Sequence, residues 1–139
     1  MTDVLTPLRL EYLGGRKFKL HEMFSVITDV LGRIDIEADE PTDFNSIPWG
    51  LWNILPPTDY GEAAVVHDTL YYHGKVRGMP ITRLQADQAH RELVVWAKAP
   101  KVKVWLYYRG LRIGGWVKWR EYRKRDEEEQ NGRDSDVSG

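Results

Sequence analysis

The hydrophobic and polar positions of this chain follow two different periods, and the change falls near residue 40. In the first third, apolar and polar side chains alternate, which is the two-residue period of half-buried strands. These runs cover residues 8–13, 17–20, 24–27 and 33–37. Glycines between the runs supply turn signals. The N-terminal third therefore predicts a small antiparallel β-sheet.

From residue 46 onward the apolar spacing is typical of helices. We predict helices over residues 48–55, 60–72, 82–98 and 101–113, the last broken or kinked at Gly114-Gly115. Thr82 and Gln85 have the spacing of a capping box at the start of the third helix. From residue 126 the chain is polar and has no apolar face, which predicts a disordered tail.

Together these elements predict an α+β fold, organised as one domain over residues 1–125. A small N-terminal antiparallel β-sheet packs on a C-terminal unit of three to four helices. That unit is built on the helical hairpin of residues 60–98.

Composition narrows the functional classes. The 139 residues are 42% hydrophobic, 29% charged and carry a formal net charge of −1, so a nucleic-acid partner is not expected. Cysteine is absent, which excludes a disulfide framework and a thiolate metal site. No apolar run reaches the length of a membrane span, and the first residues do not have the pattern of a signal peptide. We therefore expect the protein in the cytosol, or in a particle assembled there.

The candidate chemistry centres on His67 and Asp68, adjacent residues inside the apolar helical run of residues 63–72. Burying either group is costly unless something compensates it. Tyr71 lies one turn after His67 on the same face, whereas Asp68 lies about 100° further round the helix. A short loop returns the next helix antiparallel, which brings Asp87 within reach of His67.

If His67 and Asp87 meet, they could form a general-base pair. Asp87 would accept the Nδ1–H of His67 and fix its tautomer, and Nε2 would take a proton from water or a hydroxyl. Asp68 could hold a hard cation such as calcium, which would stabilise an oxyanion. The alternative is a structural network, in which His67 is simply buried and Asp68 pairs with Arg83 or Arg91.

Four ordered motifs resemble a family of short phage and prophage proteins, domain of unknown function 1353. They are TDFNSIP (42–48), AAVVHDTLY (63–71), QAD (85–87) and YYRGLRIGG (107–115). The family is met mostly among phage tail and structural genes. The resemblance thus implies a tail- or virion-associated protein, assembled in the host cytoplasm, whose partners are other phage structural proteins or further copies of itself.

The hairpin alone is similar to the parvoviral branch of the phospholipase A2 superfamily. This resemblance implies His67 as general base, Asp68 as calcium ligand, Asp87 as the partner of His67 and Tyr71 as a supporting aromatic. It also implies a lipid or cell-envelope ester as substrate.

That superfamily binds calcium partly through carbonyls of a glycine-rich loop upstream of the hairpin. Residues 42–50 of this chain contain one glycine and carry Asp43 and Ser46 instead. If calcium or another divalent cation binds, we expect Asp43 to be a second metal ligand beside Asp68. Ser46 and His90 are then supporting residues.

Residues 98–125 combine ten Lys and Arg residues and one acid, Glu121, with many aromatic side chains. We predict that Trp105 and Tyr108 face the core. Trp116, Trp119 and Tyr122 are candidates for contact with a protein partner, and an anionic lipid surface is another reading. Two hypotheses remain open: a phospholipase-like hydrolase, and a non-enzymatic tail protein whose His/Asp cluster is structural.

Overall fold

The computed structural model describes residues 1–15, 17–42 and 60–138 and confirms the predicted α+β class. The N-terminal strands form two three-stranded antiparallel sheets, where the alternation predicted one. One sheet has the order β1-β4-β5 and the other the order β2-β3-β6. Their bounds are β1 Asp3–Val4, β2 Leu10–Gly14, β3 Lys17–Leu20, β4 Phe24–Thr28, β5 Gly32–Ile36 and β6 Pro41–Thr42.

The hairpin of β4 and β5 supplies most of the sheet side of the core. Val26 pairs with Ile34 across it, and both side chains are buried, as are Phe24 and Ile36. Gly32 opens β5 with a positive φ of 70°, a conformation that favours glycine at this turn. The apolar side chains of the alternating pattern in β4 and β5 therefore face the helices.

The C-terminal part contains four helices and one small hairpin. Their bounds are α1 Gly61–His73, β7 Lys75–Val76, β8 Met79–Pro80, α2 Arg83–Trp96, α3 Lys101–Gly114 and α4 Trp116–Ser138. The predicted capping box of α2 is present: Thr82 Oγ1 accepts from the Gln85 amide at 3.1 Å, and Gln85 Oε1 accepts from the Thr82 amide at 2.9 Å. The helix predicted over residues 48–55 lies outside the described residues.

Helix α1 is the centre of the core. It packs against α2 through small side chains such as Ala63, Ala64, Ala86 and Ala89, all of them buried. Small residues allow two helices to approach closely, so polar groups on α1 and α2 come within hydrogen-bonding distance.

Helix α4 contacts the C-terminal end of α1 and holds it in place. Gly74 ends α1 in the left-handed conformation, with φ of 65°. Arg123 of α4 crosses this end, and its Nη2 donates to the carbonyls of Tyr71 and Tyr72, both at 2.8 Å. A side chain at residue 74 would overlap the Arg123 guanidinium. Gly74 is therefore required both for its dihedral angles and for this close approach.

The tail predicted to be disordered from residue 126 lies in α4, which the structure carries to Ser138. Two ion pairs lie where this polar segment of the helix begins: Arg123 with Asp126 at 3.1 Å and Arg125 with Glu129 at 3.8 Å. Such pairs, three and four residues apart, stabilise helices that have no apolar face. Within the described ranges, no helix has the length and apolar content that crossing a bilayer requires.

Candidate functional site

Asp87 is the centre of a buried polar cluster. Its Oδ1 lies 2.9 Å from His67 Nε2 and accepts the Tyr71 hydroxyl at 2.6 Å. Its Oδ2 accepts from Arg112 Nη1 at 2.8 Å and from Arg83 Nη1 at 3.4 Å. Both His67 and Asp87 are completely buried, with 0% of their surface exposed. The structure thus brings together the two residues that the spacing predicts to meet.

Three helices contribute to this Asp87 cluster. His67 and Tyr71 lie one turn apart on α1, and Arg83 precedes Asp87 by one turn on α2. Arg112 comes from the last turn of α3, and Arg83 also donates to the Leu111 carbonyl at 3.0 Å. One carboxylate therefore fixes the relative positions of α1, α2 and α3.

The ring nitrogen that faces Asp87 is Nε2, which corrects the prediction that Asp87 accepts the Nδ1–H of His67. In the neutral form of an imidazole, a carboxylate next to Nε2 favours the tautomer with its proton on that atom, which leaves Nδ1 as the basic atom. The two nitrogens point in divergent directions from the ring, and Nδ1 is directed away from Asp87.

Asp87 stays ionised in this environment. Burial by itself would raise the pKa of the Asp87 carboxyl, but hydrogen bonds from His67, Tyr71 and Arg112, and the positive charge of the His67 ring in its protonated form, outweigh that effect. The pKa of Asp87 is consequently below its ordinary value. A permanently charged carboxylate can orient an imidazole and stabilise its protonated form.

Tyr71 is a neutral donor to Asp87. Burial, followed by the charge of Asp87, raises the pKa of the phenol far above its ordinary value. Its ring packs on the His67 ring, with centroids 4.1 Å apart. A Cβ atom at residue 115 would lie 2.4 Å from the Tyr71 hydroxyl and 2.6 Å from the Leu111 carbonyl oxygen. Gly115 therefore leaves the space that the Tyr71 hydroxyl needs.

His90, predicted as a supporting residue, packs behind His67. The two ring centroids are 5.2 Å apart, and the Tyr107 ring lies on the other side at 5.5 Å. His90 is buried, and its Nδ1 has no hydrogen-bond partner among the described residues. Burial, and then the charge of His67, lowers the pKa of His90 well below its ordinary value. His90 is therefore a neutral side chain.

Asp68 faces a different direction from His67. Its Oδ2 accepts the Thr42 hydroxyl at 2.8 Å, and the residue lines a cavity of about 260 Å³. The other lining residues are mostly apolar: Leu13, Lys17, Phe18, Pro41, Thr42, Tyr72 and Tyr122. The arginines considered as partners of Asp68 lie elsewhere: Arg83 binds Asp87, and the Arg91 guanidinium is 5.1 Å from the centre of the Tyr108 ring.

The cation site stays a prediction. Asp43 and Ser46, two of its predicted residues, lie outside the described part of the chain. Within that part, no three His, Asp or Glu side chains are grouped so that they could hold a metal ion. Calcium takes six to eight oxygen ligands, and the cavity beside Asp68 offers one carboxylate from the described residues.

The C-terminal aromatic residues are placed differently from the prediction. Trp105, predicted to face the core, keeps 58% of its surface exposed, and Tyr107 is the buried side chain of α3 instead. Leu111 is the other buried side chain of α3, and Tyr108 is half-buried. Trp116 is exposed, whereas Trp119 and Tyr122 pack partly against the core.

The contact of Arg83 with Asp87 was not predicted, since Arg83 was considered only as a partner of Asp68, and Arg112 and Gly115 were not predicted as site residues. A signal for Arg83 was present, because it stands four residues before Asp87 on a predicted helix. Arg112 and Gly115 belong to a different helical segment, and no local pattern connects them with α1 or α2.

The fold and the site together define a class of protein. It is an α+β protein with a buried His–Asp–Tyr cluster whose aspartate also binds two arginines. The sequence matches the family described as Protein of unknown function (DUF1353) over residues 18–111, more than half of the chain. The chain therefore belongs to this family. No curated protein and no solved structure gives a match.

Proposed function

We propose that this protein is a phage-encoded hydrolase that cleaves an ester bond in a lipid or another component of the cell envelope. The observation that carries the proposal is the 2.9 Å contact between His67 Nε2 and Asp87 Oδ1, with Asp87 held from three further sides. An imidazole oriented by a fixed carboxylate is the arrangement of a general base.

The reaction follows from the tautomer. Asp87 keeps the proton of His67 on Nε2, so Nδ1 is the atom that accepts a proton from a water molecule. The oxygen of that water molecule attacks the ester carbonyl carbon at the same time. Asp87 stabilises the imidazolium that forms. The same proton then passes to the alkoxide that leaves, which restores neutral His67 and releases a carboxylic acid and an alcohol.

The cavity beside Asp68 supports a lipid ester as the substrate class. Its wall combines aliphatic and aromatic side chains such as Leu13, Phe18 and Tyr122, with Lys17 among its lining residues. Apolar walls accept an acyl chain, and a lysine suits a phosphate or carboxylate group. Asp68 faces this cavity from the same turn of α1 that carries His67, whose own side chain is not among the lining residues.

The proposal places the protein in the phage particle. Support comes from the four motifs by which the chain resembles a family met mostly among phage tail and structural genes. A virion that crosses a cell envelope meets lipid and ester bonds there, which gives such a hydrolase a substrate. Other phage structural proteins, or further copies of this chain, are its proposed partners.

Complete burial of His67 favours a second candidate function. With 0% exposure of both His67 and Asp87, a substrate reaches Nδ1 only if the surrounding side chains open. In the second candidate, the chain is a non-enzymatic tail or virion protein. The Asp87 cluster then serves to fix the packing of α1, α2 and α3.

Hydrolysis of phosphatidylglycerol vesicles, measured with calcium and again with a chelator, separates the two candidates. The hydrolase predicts release of free fatty acid by the wild-type chain and a loss of about 10²–10⁴-fold in His67→Gln. His73→Gln is the matched control, because His73 is half-exposed and bonds to Glu40, away from the cluster. Activity that requires calcium and is lost in Asp68→Asn supports the cation site.

Two results decide against the hydrolase for this substrate class. One is fatty-acid release at the level of buffer alone in both metal conditions. The other is equal activity in wild type and in a folded His67→Gln variant. The second candidate predicts the first of these, together with a marked loss of stability in His67→Gln.

A further inference from the structure

An exposed apolar stripe runs along α3 and the start of α4. We call it the exposed helical stripe, and its five members are Val102, Trp105, Ile113, Trp116 and Val117. Each of these side chains has between 45% and 73% of its surface exposed to solvent. A cluster of large exposed apolar side chains on one face of a protein marks a site of contact with another surface.

The backbone keeps these side chains on one face. Trp105, Ile113 and Trp116 follow each other at helical intervals, and Gly115 between the two helices has right-handed helical angles. The Gly115 amide donates to Leu111 and its carbonyl accepts from Trp119, so helical hydrogen bonding continues across the junction. Tyr107 and Leu111 point from the same helix into the core. The stripe is thus the outer face of an amphipathic segment.

Positive charge surrounds the stripe. Residues 101–120 contain six Lys and Arg residues and no Asp or Glu. One of the six, Arg112, binds Asp87 in the core, and Lys118 pairs with Glu121 at 3.2 Å. Lys101, Arg109 and Arg120 are exposed and repeat at the same helical interval as the apolar side chains. The Arg109 guanidinium lies 5.7 Å from the centre of the Trp105 ring. Cationic and apolar groups therefore alternate along one surface.

We propose that the exposed helical stripe docks the protein onto an anionic lipid bilayer, with α3 lying in the plane of the interface. Tryptophan side chains favour the headgroup region, aliphatic side chains enter the acyl boundary, and Lys and Arg pair with lipid phosphates. The proposal concerns binding and stands independently of the hydrolase proposed above.

The charge and shape of the stripe favour a lipid bilayer over two other partners, a second copy of the chain and a nucleic acid. In a symmetric dimer the same surface faces its own copy, so the cations around Arg109 would lie opposite each other and repel. A nucleic acid would pair with the cations, but Val102, Ile113 and Val117 would gain little against its phosphates. A bilayer interface accommodates both kinds of side chain.

Co-sedimentation with vesicles tests the proposal. The vesicles contain ether-linked phosphatidylcholine and phosphatidylglycerol in equal amounts, and phosphatidylcholine alone serves as the neutral probe. Ether lipids contain no ester, so the binding measurement does not depend on hydrolysis. The wild-type chain is expected to bind the anionic vesicles, more weakly as salt rises, and the neutral vesicles far less.

Matched substitutions locate the binding surface. Trp105→Ser with Trp116→Ser should weaken binding at least tenfold, because two interfacial side chains are lost. Arg109→Gln should weaken it about fivefold. Val102→Ser is compared with Val95→Ser, since Val95 is equally apolar, is 55% exposed and lies on α2. Only Val102→Ser should reduce binding.

Three results overturn the proposal. The first is no binding of the wild-type chain to anionic vesicles. The second is unchanged binding in the double tryptophan variant. The third is a wild-type oligomer, found by analytical ultracentrifugation, that Trp105→Ser dissociates while vesicle binding persists, which assigns the stripe to self-association. Failure of the hydrolase assay leaves all three measurements unaffected.

Discussion

Removal of one oxygen atom, in Tyr71→Phe, tests the Asp87 cluster most directly. The Tyr71 hydroxyl donates to Asp87 Oδ1 at 2.6 Å, and the tyrosine is completely buried. Phenylalanine keeps the ring and its contact with His67. The substitution therefore removes a hydrogen bond while changing the packing little, which separates the polar contribution from the hydrophobic one.

The expected loss of unfolding free energy is about 2 kcal/mol. A hydrogen bond to a charged group contributes about 1.5–3 kcal/mol, and the short distance indicates a charge-assisted bond. The loss should not reach the value for an unpaired buried charge, because Asp87 keeps His67, Arg83 and Arg112 as partners.

Urea unfolding followed by tryptophan fluorescence measures this loss. With an unfolding slope of about 2 kcal/mol per molar urea, the midpoint should fall by about 1 M without a change of slope. Tyr12→Phe is the control, since its exposed hydroxyl donates to the Gly15 carbonyl at 3.1 Å. An exposed bond of this kind should change stability by less than about 0.5 kcal/mol.

The pH dependence of the loss checks its cause. The lowered pKa of Asp87 means that its stabilisation is complete above the unfolded pKa and disappears as pH falls through the folded value. Loss of the Tyr71 donor raises the folded pKa of Asp87. The difference between wild type and Tyr71→Phe should therefore be largest at neutral pH and narrow below about pH 4. A loss below 0.5 kcal/mol at pH 7, or one that persists unchanged in acid, refutes the reasoning.

Three other predictions concern neighbouring parts of the fold. Because the pKa of His90 is lowered in the folded protein, only the unfolded chain takes up a proton at this residue below about pH 6.5. Between pH 7 and pH 5.5, wild type should therefore lose about 1 kcal/mol more unfolding free energy than His90→Leu does. Urea unfolding at both pH values measures this difference. Gly115→Ala should lower the melting temperature in calorimetry because the new Cβ meets the Tyr71 hydroxyl, whereas Gly132→Ala, with open space around it, should leave it unchanged or raise it. Glu92→Gln should cost about 1–3 kcal/mol, because the carboxylate of Glu92 accepts the amides of Asp29 and Val30; equal denaturant midpoints for Glu92→Gln and wild type would contradict this.

Local patterns predicted the elements of this fold well. Alternation located β2 to β5, and the Thr82–Gln85 spacing located the start of α2, because both signals depend on neighbours along the chain. The division into two sheets was not predictable in the same way, because it depends on which hairpins pair with each other. The third strand of each sheet, β1 or β6, has two residues, which are too few to show any period.

The part of the site that lies on the helical hairpin of α1 and α2 was predictable from the sequence. Spacing on α1 and α2 suggested that His67 and Asp87 meet, but periodicity does not determine side-chain rotamers, so the ring nitrogen was assigned wrongly. Arg112 reaches the cluster only because α3 crosses α2 at the correct height, which no local signal encodes. The same limit explains Trp105: exposure depends on the rotation of α3, and Tyr107 rather than Trp105 has the inward position.

The composition of the Asp87 cluster bears on the choice between the two candidate functions. A buried carboxylate with two arginines gives a fold little net stability, because desolvation offsets most of the attraction, and apolar side chains of similar volume often serve equally well. Net stability alone therefore does not account for this choice of residues. The proposed role of Asp87 in orienting His67 would account for it, because that role requires a carboxylate that remains charged and immobile inside the protein. His67, Tyr71 and Arg112 lower the pKa of its carboxyl, and Tyr71, Arg83 and Arg112 hold its two oxygens in place. The chemistry of the cluster thus favours the hydrolase, and the enclosure of His67 identifies substrate access as the step on which that function depends.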